Sequence, residues 1–327
     1  MLQIYYTSTV DIAALGELLI DFTEAGVSKS GMKLFEQNPG GAPANLLTVA
    51  SHFGYKTSFI GKVGKDMHGE FLRRTLQKEG IGTDSLIVDD RFFTTLAFVG
   101  IDKNGERNFS FSRKSGADTQ LSAADLDREL LQNCRIFHFG SLSLTDEPAK
   151  TATLEAVQIA RRAGSLISYD PNYRATLWEN KESAVETMKS VIPLVDFMKV
   201  SDEESLLLTN TSDYMSAAQS LLNNGPKLVA ITLGEDGVLI ATADQKSVVP
   251  GFKIEAIDTT GAGDSFWGGF LSKYLSYGKS LEELEWEEIY ECAVTGNAVA
   301  ALCVQKRGGI PAIPTKFEVA SFLNRKL

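Results

Sequence analysis

Short apolar runs that end in Gly, Asp or Ser alternate along this chain with amphipathic stretches of helical length. The runs are "DIAALGELLID", "KTSFIGKVG", "CRIFHFGS", "SLISYDPN", "FMKVS" and "KLVAITLG"; the stretches are 44–53, 67–79, 123–132, 148–162, 183–191 and 214–222. A strand buried on both faces reads as a continuous apolar run, and a helix is the usual crossover between parallel strands. The pattern therefore predicts an α/β fold with a mostly parallel, doubly wound sheet covered by helices on both faces. In the first run Gly16 marks a turn, and Asp21 stands where a buried first strand would meet a site.

Two segments break the alternation. "DFTEAGVSKSGMKLFE" and "TTLAFVGIDKNGERNFSFSR" alternate as strands do, with Gly turns and no crossover helix, and Lys103-Asn104-Gly105 carries a hairpin signal. They are expected to form a small inserted β-sheet, placed as a lid over 21–37 and 93–115, with the α/β core made of 1–20, 38–92 and 116–327. At 327 residues, 43% apolar and 23% charged, the chain can bury a full core. Its net charge of −10 argues against nucleic acid or an anionic membrane surface as partner. Cys134, Cys292 and Cys303 form no CxxC pair, and His52, His68 and His138 are scattered, so a zinc site or disulfide framework is not expected. His138 reads as a strand residue. No run approaches the ~18 apolar residues of a membrane span, and the first ten residues lack a basic head before an apolar stretch, so a cytoplasmic protein is expected.

The chemistry concentrates in "DTTGAGDSFWGG", Asp258 to Gly269. Neither common phosphate fingerprint is met: GxGxxG fails at Phe266, and GxxxxGK[ST] fails at Lys273. Gly261 and Gly263 nevertheless stand at the mouth of a helix, where glycines let a ligand approach the amides and where unpaired N–H groups and the helix dipole favour an anion. Gly261-Ala262-Gly263 thus reads as an anion cradle. Asp264 would repel a phosphate there unless it has a task, such as taking a proton from a hydroxyl that attacks phosphorus. The plainer alternative is that Asp258 or Thr260 caps the helix and Asp264 sits in its first turn.

"DTTGAGDSFWGGFL" resembles the second signature of the ribokinase-like, or PfkB, carbohydrate kinase family, and "GGAPANLLTVASHFG" with "IGKVGKDMHGEFL" resembles the first. The similarity runs through "TLGEDG" and "NAVAALCVQKRGG" and covers nearly the whole chain from about Asp11. It implies a ribokinase-like three-layer fold with a lid. It also implies that Gly261, Ala262, Gly263 and Asp264 form the anion hole and catalytic base, with Asp264 also touching substrate. Gly40, Gly41 and Asn45 would hold the sugar, Asp21 would accept its hydroxyls, and Ala97 and Val99 would close over it. On the nucleotide side the resemblance implies Thr232, Gly234 and Gly237 around triphosphate and ribose, and Asn297 near adenine. Glu204 would place Mg²⁺ through water, with Ser201 standing where the family has Asn, a longer donor. Asp258, Thr260, Cys303, Lys306 and Gly308 fall where family members bind a monovalent cation such as K⁺, mostly through main-chain carbonyls.

"DPNYR" and "RNFSFSR" leading into "SGAD" resemble the fructokinase and 2-keto-3-deoxygluconate kinase branch, which implies that Arg113 and Arg174 face substrate or phosphate. Phe109 and Phe111 take the lid positions where a tyrosine could donate to a carboxylate, which favours a neutral ketose, fructose, as acceptor and MgATP as donor. The 2-keto-3-deoxygluconate kinases and other sugar or nucleoside kinases of the family remain alternatives. A nicotinamide-dependent oxidoreductase is the alternative of another class, disfavoured by the missing GxGxxG. Family members often dimerise through the lid, where this chain could offer Leu34, Phe35 and Phe98.

Overall fold

The computed structural model describes residues 10–101 and 107–326. The Lys103-Asn104-Gly105 turn and the side chain of Phe109 lie outside the described residues. The chain enters a large sheet at β1 (Val10–Leu15) and leaves it at once for a small second sheet, whose first hairpin is β2 (Leu19–Val27) and β3 (Lys33–Gly40). β4 (Thr57–Gly64) and β5 (Leu86–Asp89) return to the large sheet, and β6 (Leu96–Ile101) and β7 (Arg107–Ser112) add a second hairpin to the small one. The rest is large sheet: β8 (Cys134–Gly140), β9 (Leu166–Asp170), β10 (Phe197–Ser201), β11 (Leu228–Thr232), β12 (Gly237–Ala241) and β13 (Lys246–Pro250). Its order is β13-β12-β11-β10-β9-β8-β1-β4-β5, and the small sheet's is β3-β2-β6-β7. Every pairing from β11 to β5 is parallel; β12 and β13 run antiparallel as an edge hairpin, an element that the alternation of runs does not announce.

Helices α1 (Ala42–His52) and α2 (Met67–Lys78) cover one face of the large sheet. Helices α3 (Arg128–Gln132), α4 (Ala149–Ala163), α5 (Lys181–Ser190), α6 (Asp202–Thr209) and α7 (Tyr214–Leu222) cover the other. Helices α8 (Ala262–Tyr277) and α9 (Trp286–Cys303) return to the first face, with α10 (Lys316–Lys326) packed outside α9. Strand period divides the apolar residues between two cores: on β1, Ala13 and Leu15 point to one face and Ile12 and Ala14 to the other, all fully buried. No helix among the described residues is long and apolar enough to cross a membrane.

Two local expectations change. The stretch 123–132 is not one helix but a one-turn 3-10 segment, Ala123–Asp125, followed by α3. Ser122 and Asp125 close a capping box on the first piece, and the Asp127 carboxylate accepts the Leu130 amide to start the second, so the side chains compete with a continuous backbone ladder. Asp21 does not end the first strand: the turn at Gly16-Glu17-Leu18 breaks the apolar run, and Asp21 lies on β2, opposite Asn38 and Ala97 in the small sheet. Register then puts Asp21, Ala97 and Phe111 on one face of that sheet and Phe22 and Phe98 on the other.

Candidate active site

The C-terminal ends of β8, β9 and β10 meet the N-terminus of α8, the position at which open parallel sheets bind ligands. Helix α8 starts from Gly261 in the left-handed region, φ 75°, with no side-chain cap. Asp258 does not cap it: one of its carboxylate oxygens accepts the Thr260 amide at 2.7 Å and the other the Gly308 amide at 3.1 Å, fixing the loop before the helix. Among the described residues no side chain caps the first turn of α8, and its first amide, Ala262, donates to the Thr259 carbonyl at 3.2 Å.

Asp264 follows in that first turn. Asn45 Nδ2, from the first turn of α1, donates to Asp264 Oδ2 at 2.8 Å, while Asn45 Oδ1 is buried with no partner of its own. Burial pushes the Asp264 carboxyl up to about 6; the Asp170 charge adds to the rise, and Lys199, Asn45 and Arg174 oppose it. Lys199 Nζ pairs with Asp170 Oδ2 at 2.9 Å, both side chains buried. Burial alone would lower Lys199, but Asp170, Glu204 and Asp264 outweigh it and hold the ammonium above its ordinary value. A Cβ on Gly263 would lie 2.7 Å from Lys199 Nζ, so this glycine makes room for the ammonium beneath the helix mouth.

Beside Asp264 lies a cavity of about 370 Å³ walled by Asp21, Gly41, Asn45, Phe111, Asn172 and Arg174, with Glu17 and Leu142 also in its lining. Gly40 and Gly41 are glycines for steric reasons: a Cβ on Gly40 would lie 2.1 Å from Asp21 Oδ2, and one on Gly41, at φ 125°, 2.4 Å from the Glu17 carbonyl. Ala97 and Val99 are buried on the lid face that carries Asp21. Arg174 lines the cavity and donates to its neighbour, the Tyr173 carbonyl, at 3.1 Å.

Arg113 is placed elsewhere. All three guanidinium nitrogens are engaged: Nε with Asp118 at 2.7 Å, Nη1 with Thr145 Oγ1 at 2.7 Å and Nη2 with the Leu142 carbonyl at 2.8 Å. It ties the outgoing end of the small sheet to the loop after β8 instead of facing the cavity.

The remaining candidates lie around the ends of β10 and β11. Each Glu204 carboxylate oxygen accepts one amide, Tyr173 at 2.6 Å and Ser201 at 2.8 Å, and the Ser201 hydroxyl accepts the Glu204 amide in return. Ser201 is therefore an N-cap of α6, a role its short hydroxyl fills well. Thr232 ends β11; Gly234 and Gly237 follow at φ 61° and 106°. Asn297 Nδ2 donates to the carbonyls of Val249 and Pro250 at 3.2 and 3.1 Å, clamping α9 to β13. The segment 257–260 runs beside 303–308, joined by the Ile257 and Asp258 amides on the Val304 carbonyl; Cys303 Sγ accepts the Ser265 hydroxyl, and the Lys306 ammonium turns out to Glu318.

Glu17 and Lys199 lie near the site outside every quoted motif, and Asp170 and Asn172 lie in "DPNYR" without being named there individually. The available signal was a lone charge inside an apolar run: Glu17 in "AALGELLI" and Lys199 in "FMKVS".

A helix mouth without a side-chain cap, a buried carboxylate held beside it and a polar cavity between the two sheets suit a phosphotransferase that acts on an alcohol. The chain belongs to the pfkB family of carbohydrate kinases, whose model matches residues 10–316. It is 40% identical over 319 residues to "Probable fructokinase-5" of Arabidopsis thaliana, covering 96% of this chain and 98% of that protein. Fructokinase with bound ATP from Xylella fastidiosa superposes with a TM-score of 0.90 at 32% identity, over 97% of this chain and 98% of the other. A double mutant of the Vibrio cholerae O395 fructokinase, in fructose-, ADP- and potassium-bound form, gives a TM-score of 0.88 at 29% identity over 97% and 99%.

Proposed function

We propose that this protein is an ATP-dependent fructokinase that transfers the γ-phosphoryl group to a primary hydroxyl of fructose. The observation that carries the reading is the position of Asp264, held by Asn45 between the cavity and the α8 mouth. The names of the relatives and the fructose and ADP in the Vibrio cholerae neighbour point to the same substrates. Cavity chemistry favours a neutral sugar: Phe111 in its wall has no donor, and Arg113 is spent on Asp118, which leaves Arg174 alone of the two expected arginines in the lining.

In this reading Asp21, Asn45 and the glycine pair Gly40-Gly41 orient the sugar, and Ala97 and Val99 close over it to exclude water. Asp264 takes the proton of the attacking hydroxyl as its oxygen bonds to the γ-phosphorus and ADP departs. The amides of Gly261 to Asp264 stabilise charge on the transferred group, and Arg174 adds a cation from the sugar side. Thr232, Gly234, Gly237, Ser201 and Asn297 frame the nucleotide. Asp170, Glu204 and Asp264 surround one buried ammonium, leaving an excess of negative charge, and each Glu204 oxygen keeps a lone pair beyond its amide bond. That donor set suits hydrated Mg²⁺, held by Glu204 and Asp170 through water, which would neutralise phosphate charge. A K⁺ ion fits between 257–260 and 303–308 through main-chain carbonyls, since the Lys306 ammonium points away.

We place the enzyme in the cytoplasm, where its three free, buried cysteines suit a reducing compartment. We divide it into the core and lid given by the sequence boundaries, and we pair two copies through the lid face where Phe35 and Phe98 are exposed by 41% and 38%; Leu34, 46% exposed, lies on the opposite face of β3. Sedimentation of Phe98→Glu against the parent protein tests the pairing.

The test of function is a panel of fructose, ribose, 2-keto-3-deoxygluconate, tagatose 6-phosphate and nucleosides as acceptors with MgATP, followed by ADP release. Fructose should rank first in kcat/KM. A low rank for fructose overturns the substrate, and no acceptor-dependent ADP release overturns the reaction.

A further inference from the structure

Among the described residues three carboxylates, Glu17, Asp21 and Asp264, line the cavity proposed for the sugar, and Glu17 has no part in the proposed mechanism. It occupies the turn between β1 and β2 and is 3% exposed. One of its oxygens accepts the Ala42 amide at 2.9 Å, the first N–H of α1, whose N-cap Gly41 brings no side chain to do so. Glu17 thus caps from a distance the helix that carries Asn45. The neighbouring cation is already taken, because Arg113 pairs with Asp118 at 2.7 Å. Burial pushes the Glu17 carboxyl up to about 7, against the Ala42 amide, its own amide and Arg113, which lower it. A buried carboxyl so weakly compensated, in the wall of a substrate cavity, is costly unless the substrate brings a partner.

We infer that Glu17 is a further sugar-binding residue, fixing the first amide of α1 with one carboxyl oxygen and meeting a sugar hydroxyl with the other. The inference rests on the fructokinase reading for the identity of the sugar. The second oxygen donates when protonated and accepts when ionised, so sugar affinity varies through neutral pH. The charged groups that face Glu17 are Arg113 and Asp118 behind it, with Asp21, Arg174 and Asp264 around the cavity.

The experiment measures KM for fructose and for ATP between pH 6 and pH 8 in the full-length parent protein, Glu17→Asp and Glu17→Gln. Glu17→Asp withdraws the head group by one methylene and should raise KM for fructose about tenfold, with KM for ATP within about twofold. A general structural defect would move both. Glu17→Gln keeps an acceptor for Ala42 and a polar tip, and should flatten the part of the fructose-KM pH profile that the parent shows near pH 7. If Glu17→Asp does not fold, as judged by circular dichroism, the Glu17→Gln profile decides alone. Parent-like fructose KM in the folded variants at every pH overturns the inference. A parent protein that leaves fructose unphosphorylated overturns the fructokinase reading instead, and the two failures are told apart by that control.

Discussion

Asn45 Nδ2 and Asp264 Oδ2 are 2.8 Å apart although 219 residues separate them in the chain, so the two family signatures converge on a single hydrogen bond. That bond fixes one oxygen of the carboxylate proposed as base, while Asn45 Oδ1 lies buried on the side of Gly309. Asp264→Asn preserves the shape and removes the basicity. Turnover should fall by roughly 10²–10⁴, with the circular dichroism spectrum and ATP affinity kept. Turnover within twofold of the parent would remove Asp264 from the chemistry.

In the proposed mechanism the same carboxylate would set the acid limit of the reaction. Burial, helped by Asp170 and opposed by Lys199, Asn45 and Arg174, pushes Asp264 up to about 6, so the base is ionised above that pH and protonated below it. kcat/KM for the sugar should fall about tenfold per pH unit on the acid side of a limb near pH 6. A profile flat from pH 5 to pH 8 would show that no carboxylate with this environment limits the reaction.

Gly263 gives a test of packing rather than of phosphate contact. A Cβ there would lie 2.7 Å from Lys199 Nζ, and the lysine's retreat would pull it from Asp170 inside the protein. Gly263→Ala should cost on the order of 3 kcal/mol in urea unfolding, as for other broken buried ion pairs. Because the clash needs the ammonium, adding Gly263→Ala to a Lys199→Met protein should cost much less than adding it to the parent. Equal costs in both backgrounds would refute the steric account.

These relationships also separate what the chain announces from what it conceals. Backbone-driven features were legible in part: the apolar runs mark strands buried on both faces, whereas the glycines at 40, 41 and 263, read as room for a ligand, make room here for Asp21, the Glu17 carbonyl and Lys199. Partners chosen across the fold were not. Arg113 looked available for a substrate, but Asp118, only five residues on, takes its guanidinium. Asp21 looked like a strand end, yet the run breaks at Gly16-Glu17-Leu18 and the small sheet begins at Leu19. Lys199 and Glu17 carry no spacing signature, since a single buried charge is explained only by what surrounds it. The β12 and β13 edge hairpin was missed because it interrupts the strand–helix alternation that located every other strand from β8 to β11.

Glu17 makes a last prediction about stability. Its carboxyl rises from an ordinary 4.5 to about 7 on folding, chiefly through burial. Between those values the unfolded chain has lost the proton that the folded chain still holds. The stabilisation carried by the neutral form is therefore complete below pH 4.5 and is lost as pH climbs through about 7. The shift bounds the effect at roughly 3 kcal/mol. Glu17→Gln is neutral at every pH and keeps an acceptor for the Ala42 amide, so it should gain on the parent as pH rises from 5 to 8. Paired thermal melts across that range measure the gain as a widening difference in Tm. A constant difference would mean that the folded protein holds Glu17 ionised throughout, with a compensating charge close enough to offset its burial.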